Sequence, residues 1–355
     1  MARVLITGGA GFVGANLAVS LAMRHPDWEM LALDSLYRRG SELNLPRLRD
    51  AGVTFLHGDI RVREDVAGVG ALTAIVECSA EPSALAGVGA RGPGYVVHTN
   101  LLGAYHCLEL ARSSGAQFIF LSTSRVYPIA RLRSLNLDET EDRFELASHQ
   151  ELPGVTRDGI SEGFPLEGAR TLYGTTKLAV ELLIAEYVET YGLRAVIDRF
   201  GVIAGPWQMG KVDQGVFTYW MLAHVFDRPL RYIGFGATGK QVRDLLHIED
   251  AVDLVETQLA QPDAWTGATV NVGGGRACSL SLRETSELCA EITGRRVPVS
   301  GDPALRPGDI PLYLSDCSRL SNLVQGWRPR RSADRILEDI FSWIRDNEAA
   351  VRQAF

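Results

Sequence analysis

Residues 3–17 read RVLITGGAGFVGANL: an apolar run ending at Thr7, glycines at Gly8, Gly11 and Gly14, then an apolar helical pattern. A strand that ends in a tight glycine turn and feeds a helix builds an anion site. The helix start offers unpaired N–H groups and a partial positive charge, and glycine lets the backbone approach a pyrophosphate closely. The spacing is GxxGxxG, with Phe12 and Val13 between the last two glycines. Asp34 lies twenty residues beyond Gly14, at the end of the next apolar run, EMLALD. An acid at that place binds ribose hydroxyls and would repel a 2′-phosphate, so the stretch points to NAD. Arg38 and Arg39, close by, are the feature that points toward NADP instead.

The strand-and-helix rhythm continues outward. VTFLHGD, AIVECSA and QFIFLSTS read as buried strands, and NLAVSLAMRH and NLLGAYHCLELARSS as helices. That alternation predicts an α/β fold, a Rossmann-type doubly wound parallel sheet with helical crossovers. A polar, turn-rich stretch over 128–170 precedes a long helix, LYGTTKLAVELLIAEYVETYG, and the strand RAVIDRF. From about 205, Gly and Pro break the pattern, which predicts a smaller C-terminal α/β substrate domain. The expected division is 1–200 for the NAD-binding domain, with re-entry around 240–270, and 201–355 for the substrate domain. A chain of 355 residues accommodates both.

Composition narrows the function classes. Hydrophobic residues make up 46% of the chain, enough for a sizeable core, and the net charge of -7 comes without a basic stripe. Nucleic acid is therefore not the expected partner. With no apolar run of 18 residues, no membrane span is expected, and the N-terminal residues lack a signal-peptide layout. Cys78, Cys107, Cys278, Cys289 and Cys317 are widely spaced, with no CxxC. This suits a reducing, cytoplasmic location and neither a disulfide framework nor a zinc site. The seven histidines show no metal spacing, so no metal is expected. His247 is expected to hold its own turn, and Phe217, Tyr219 and Trp220 to pack in a core.

A second constellation carries chemistry. Tyr173 and Lys177 stand four apart at a helix start and share one face. A lysine ammonium, helped by a cationic nicotinamide, favours the phenolate and makes tyrosine a usable acid and base. Ser122-Thr123-Ser124 ends the strand QFIFLSTS. A Thr123 hydroxyl there can bond the substrate oxygen that exchanges its proton, and Ser122 or Ser124 could do so instead.

TGGAGFVG, Gly58-Asp59-Ile60, the STS strand end, YxxxK and RDLLHIED at 243–250 together resemble the extended short-chain dehydrogenase/reductase family over nearly the whole chain. LDSLYRRG at 33–40, QMGKVDQG at 208–215 and GKQVRDLLH at 239–247 are similar to the branch that inverts carbon-2 of CDP-sugars. The resemblance implies an epimerase of nucleotide-diphosphate sugars with tightly held NAD. Tyr173 takes a hydroxyl proton, NAD takes the geminal hydride, the ketose turns over, and hydride returns to the other face. It also implies that Asp59 and Ile60 lie by the adenine, that Ala80, Asn100 and Ser122 join the cofactor site, and that Arg243 and Arg306 hold the diphosphate. Ser124, Asp213 and Gln214 would face the substrate, and Gln208 or backbone N–H groups would supply the phosphate contact that the family makes where Val202 stands here. The helices at 100–112 and 173–191 would pair two copies as a homodimer.

Several positions depart from the family pattern. Glu77-Cys78-Ser79-Ala80 stands where His-x-Ala-Ala is usual, and Glu81 follows it. Val202 and Ala204 replace an asparagine and a tyrosine of the Arg-x-x-Asn-x-Tyr-Gly-Pro pattern. Ser124-Arg125 replaces the Asp-Glu that dehydratases carry after the strand-end threonine, and elimination needs an acid and a base there. The rivals to carbon-2 epimerisation are a UDP-glucose or UDP-glucuronate 4-epimerase, a net NAD-dependent dehydrogenase or reductase, and an NAD-binding protein without catalysis.

Overall fold

The computed structural model describes residues 2–88, 92–210, 214–324 and 327–354. The opening stretch forms β1 (Arg3–Thr7) and α1 (Phe12–Arg24). β2 (Glu29–Asp34), β3 (Thr54–His57), β4 (Ala74–Glu77) and β5 (Gln117–Thr123) follow in chain order. With Ala195–Phe200 and Ala268–Val272 they make a seven-stranded parallel sheet. Its order is Ala268–Val272, Ala195–Phe200, β5, β4, β1, β2, β3. Every residue of β4 and of β5 is buried. Parallel strands covered on both faces read as continuous apolar runs for this reason. Leu5, Ile75, Phe118 and Phe120 of the sheet pack with Leu108 and Ala111, from helix Ala104–Ser114, and with Val180 and Ile184, from helix Leu172–Tyr191.

The strand order reverses between β1 and β4, where Thr7 pairs with Glu77. Ligands of open α/β sheets bind at the carboxyl ends of strands at such a reversal. The glycine turn after β1 and the loop after β4 both lie there.

The expected helix at NLLGAYHCLELARSS has a different beginning. His98–Gly103 is a π-helical turn, and α-helix runs from Ala104 to Ser114. A widened turn of this kind often marks a functional position, and here it carries Asn100.

The chain divides into two compact units. The first holds Met1–Thr123, Leu172–Arg199 and Ala251–Thr269, and the second holds Ser124–Thr171, Phe200–Asp250 and Val270–Phe355. The polar stretch after β5 thus groups with the second unit. It forms two small hairpins, and its backbone donates from Phe144 to the Lys240 carbonyl and from Ile160 to the Leu314 carbonyl. The second unit has its own mixed sheet of Val202–Ala204, Val242–His247, Ser279–Ser281 and Leu312–Tyr313. Phe217 and Trp220 are buried in its core beside Ile336, Leu337, Ile340 and Ile344, with Tyr219 packed against them. The aromatic residues after Gly215 therefore belong to packing. His247 accepts the Glu249 N–H at 3.0 Å through Nδ1, and burial first of all pushes its imidazole down to about 4, a structural role.

Candidate active site

The cofactor end is built by backbone. Gly8 turns the chain with φ of 61°, a conformation that glycine adopts without steric cost. A Cβ on Gly14 would lie 2.2 Å from the Gly8 carbonyl oxygen, so α1 starts against the turn itself. Gly11 caps α1 with no side-chain bond, and no acid stands in the first turn. The helix start is thereby left to an external anion. Asp34 accepts the Ala10 N–H at 3.1 Å and the Leu36 N–H at 2.8 Å, one through each carboxylate oxygen. Burial raises its carboxyl above the ordinary value, and these N–H groups oppose the rise. An uncapped helix start, a turn too tight for a side chain and an acid at the end of β2 fit NAD, whose pyrophosphate would lie on Phe12, Val13 and Gly14 and whose ribose would lie on Asp34.

Asp59 and Ile60 have local partners. Arg61 donates to both oxygens of Asp59 and holds its carboxyl below the usual range. The Arg61 guanidinium also lies 5.0 Å from the centre of the Tyr95 ring. The Ile60 carbonyl accepts from His106 Nδ1 at 2.8 Å. Ala80 is half-buried just after β4.

Tyr173 and Lys177 stand on helix Leu172–Tyr191, one turn apart. Lys177 is 2% exposed. Its ammonium donates to Glu77 Oε2 at 3.3 Å and lies 4.3 Å from the centre of the Phe120 ring. Asn100 faces the same helix: its Nδ2 donates to Thr176 Oγ1 at 3.2 Å and to the Glu81 carbonyl at 3.1 Å, while its Oδ1 accepts the Glu81 N–H at 2.7 Å. The Glu81 carboxylate turns back to the Ser83 N–H at 3.1 Å, so it closes its own loop. Thr123 ends β5 and is buried. Ser122, buried beside it, donates its hydroxyl to Glu181, which also accepts two prongs from Arg199. The Ser122 hydroxyl is thus engaged in a buried network.

In the second unit, Ser124 opens a 3-10 turn, Ser124–Val126. Arg243, on strand Val242–His247, donates to the Val242 carbonyl at 2.7 Å and the Ile310 carbonyl at 2.8 Å, with the Asp309 carboxylate at 3.5 Å. Burial, then the Arg125 guanidinium, push Arg243 down to about 10. Arg125 donates to the Gly308 carbonyl at 2.9 Å, and Arg133 to the carbonyls of Asp309 and Arg306. Three arginines therefore gather on the loop that carries Arg306. Gln208 donates to the Ile203 carbonyl at 3.0 Å and accepts from Thr218 at 2.6 Å, which pins its own loop. Gln214 precedes Gly215, the cap of helix Val216–Val225. Asp213 lies outside the described residues.

Sequence reasoning assigned no role to Glu77, Arg133 or Thr176, and treated Arg125 only as a mark against dehydration. An acid closing the apolar run AIV was the available signal for Glu77. Nothing in local sequence signals Arg133 or Thr176, whose partners are remote or act through a side chain on another element. Among the described residues, no group of acids, histidines and cysteines could hold a metal ion, and no helix is long and apolar enough to cross a membrane.

A doubly wound sheet with a glycine turn at its switch point and a Tyr-x-x-x-Lys helix defines a nucleotide-dependent enzyme of the short-chain dehydrogenase/reductase type. The chain belongs to the NAD dependent epimerase/dehydratase family, whose model matches residues 4–273, and its cofactor is NAD. It is 29% identical to the CDP-paratose 2-epimerase of Salmonella typhi, over 96% of this chain and 98% of that one. It is 30% identical to the dTDP-glucose 4,6-dehydratase of Mycolicibacterium smegmatis, over 98% and 94%. The fold matches the UDP-glucuronic acid 4-epimerase of Bacillus cereus with a TM-score of 0.77 and 21% identity, over 97% and 99% of the two chains.

Proposed function

We propose that this protein epimerises a nucleotide-diphosphate sugar, at carbon-2, through a transient ketone. The observation that carries the reading is Lys177, buried one turn from Tyr173 in the unit that also holds the glycine turn and Asp34. Tyr173 moves the proton of the reacting hydroxyl, Lys177 sustains its phenolate, and Thr123 bonds the same oxygen. NAD, when bound, accepts the hydride and returns it. Ser122 and Asn100 act by positioning: Ser122 within the Glu181–Arg199 network, Asn100 by tying the loop after β4 to the reactive helix.

Arg243 and Arg306 take the diphosphate, and Arg125 and Arg133 hold the loop of Arg306 through its carbonyls. Arginine suits this work by its fixed fork of donors. Ser124, Gln208 and Gln214 complete the substrate side. Carbon-2 rests on the similarity to the CDP-paratose enzyme and on the stretches at 33–40, 208–215 and 239–247. Dehydration is disfavoured by Ser124-Arg125, which supplies no acid–base pair after Thr123.

The chain works as a cytoplasmic homodimer in this reading. Leu102, Tyr105 and Leu182 are exposed apolar residues on the π-helical turn, helix Ala104–Ser114 and helix Leu172–Tyr191. The two helices are linked by a bond from the Tyr187 hydroxyl to Glu109.

The test incubates the protein with CDP-, UDP-, GDP- and dTDP-sugars in deuterated water, followed by NMR and by absorbance at the NADH band. A new epimer without solvent deuterium and without net NADH supports the reading, and its coupling constants name the carbon. An epimer at carbon-4 establishes the second reading, which shares the same residues. Deuterium at the inverted carbon, or stoichiometric NADH, overturns both.

A further inference from the structure

We propose that Glu77 is a positioning residue for the Tyr173–Lys177 pair: its buried carboxylate anchors the Lys177 ammonium and sets the pH at which Tyr173 exchanges its proton. The inference rests on the reading of Tyr173 as the acid and base.

Glu77 is the last residue of β4, fully buried at the switch point of the sheet, and Lys177 is 2% exposed. Taking a lysine ammonium out of water costs free energy, which a carboxylate partner offsets. Glu77 supplies the pair at 3.3 Å. The bond takes one of three ammonium donors and leaves two for hydroxyl-bearing ligands.

Few other groups face the pair. Burial raises the Glu77 carboxyl above its ordinary value, and the Lys177 ammonium, the Ser79 N–H and the Thr7 hydroxyl of β1 oppose the rise. The thiols of Cys78 and of Cys107, on helix Ala104–Ser114, lie close enough to feel its charge, and burial pushes both well up, so they stay neutral. Among the described residues, no second carboxylate bonds Lys177.

The consequence follows from net charge. With Glu77 ionised, the trio of phenol, ammonium and carboxylate is neutral, and loss of the phenol proton leaves it negative. With a neutral residue at 77, the same loss takes the trio from positive to neutral. The carboxylate therefore raises the pH at which the coupled pair titrates.

The experiment compares the NAD-loaded wild type with Glu77→Gln, Glu77→His and Glu77→Asp. Phenolate absorbance is followed against pH, and the same titration in a Tyr173→Phe background is subtracted to isolate Tyr173. The Tyr173 step is expected to fall by about one pH unit or more in Gln and His and to stay near the wild-type value in Asp, which keeps the charge. A step at one pH in all four proteins, or one that rises in Gln and His, overturns the proposal. Should Glu77→Gln fail to fold, the His and Asp variants decide alone. The readout needs no turnover, so epimerase activity surviving in Tyr173→Phe would sink the functional reading separately.

Discussion

Asn100 Nδ2 donates to Thr176 Oγ1 at 3.2 Å, joining the π-helical turn to the helix that carries Tyr173 and Lys177. The same side chain makes both backbone bonds to Glu81. Asn100→Ala removes three bonds at a buried site, and unfolding in urea should show a loss of about 1–3 kcal/mol. Thr176→Val removes one of the three and should cost less, with kcat falling further in Asn100→Ala. Equal stability of the wild type and Asn100→Ala would contradict the positioning role.

Gly14→Ala and Asp34→Ala test the cofactor end separately. In Gly14→Ala the added methyl would meet backbone oxygen at 2.2 Å, so α1 must move away from the turn. Asp34→Ala removes the acceptor of two loop N–H groups. Calorimetric titration with NAD should show affinity lowered about tenfold or more in each. An unchanged affinity in Asp34→Ala would remove that residue from the ribose site.

Asp198 gives a pH-dependent stability. It is fully buried in strand Ala195–Phe200, with Gln258 Nε2 donating to it at 2.9 Å, and burial pushes its carboxyl up to about 7. The unfolded carboxyl titrates near 4. Between these values the folded chain holds a proton that the unfolded chain has lost, so stability falls as pH rises from about 4 to 7 and then levels off. Asp198→Asn should be a few kcal/mol more stable than wild type at pH 8 and near wild type at pH 4. Thermal melts at both pH values check this, and an equal difference at both would contradict it.

Leu182 is 64% exposed in the middle of the long helix. Leu182→Glu should convert a dimer to a monomer in sedimentation velocity while leaving the far-ultraviolet circular dichroism unchanged. A wild type that sediments as a monomer would overturn the homodimer reading, and a variant that remains dimeric would move the interface elsewhere.

Much of the first unit was readable because its signals are local. The order of strands, the glycine spacing and the acid after β2 each lie within a short window, and parallel burial on both faces makes those strands apolar throughout. That Tyr173 and Lys177 share one helix face follows from their spacing. The stretch after β5 was harder, because its small hairpins take their place from the remote backbones of Lys240 and Leu314. The start of the helix at Ala104 was missed for a similar reason. A π-helical turn has no spacing signature of its own, and Asn100 is held there by Glu81 and Thr176.

From residues 3–34 alone follow a strand, a turn that only glycine fits, a helix start and an acid, since each depends on the residue's own backbone freedom or charge. The pairing of Glu77 with Lys177, a hundred residues apart, belongs to the folded chain. So does the gathering of Arg125, Arg133 and Arg243 on the loop of Arg306. Charge partners of this kind are chosen by which strand ends and loops the sheets bring together, and no local pattern encodes that choice.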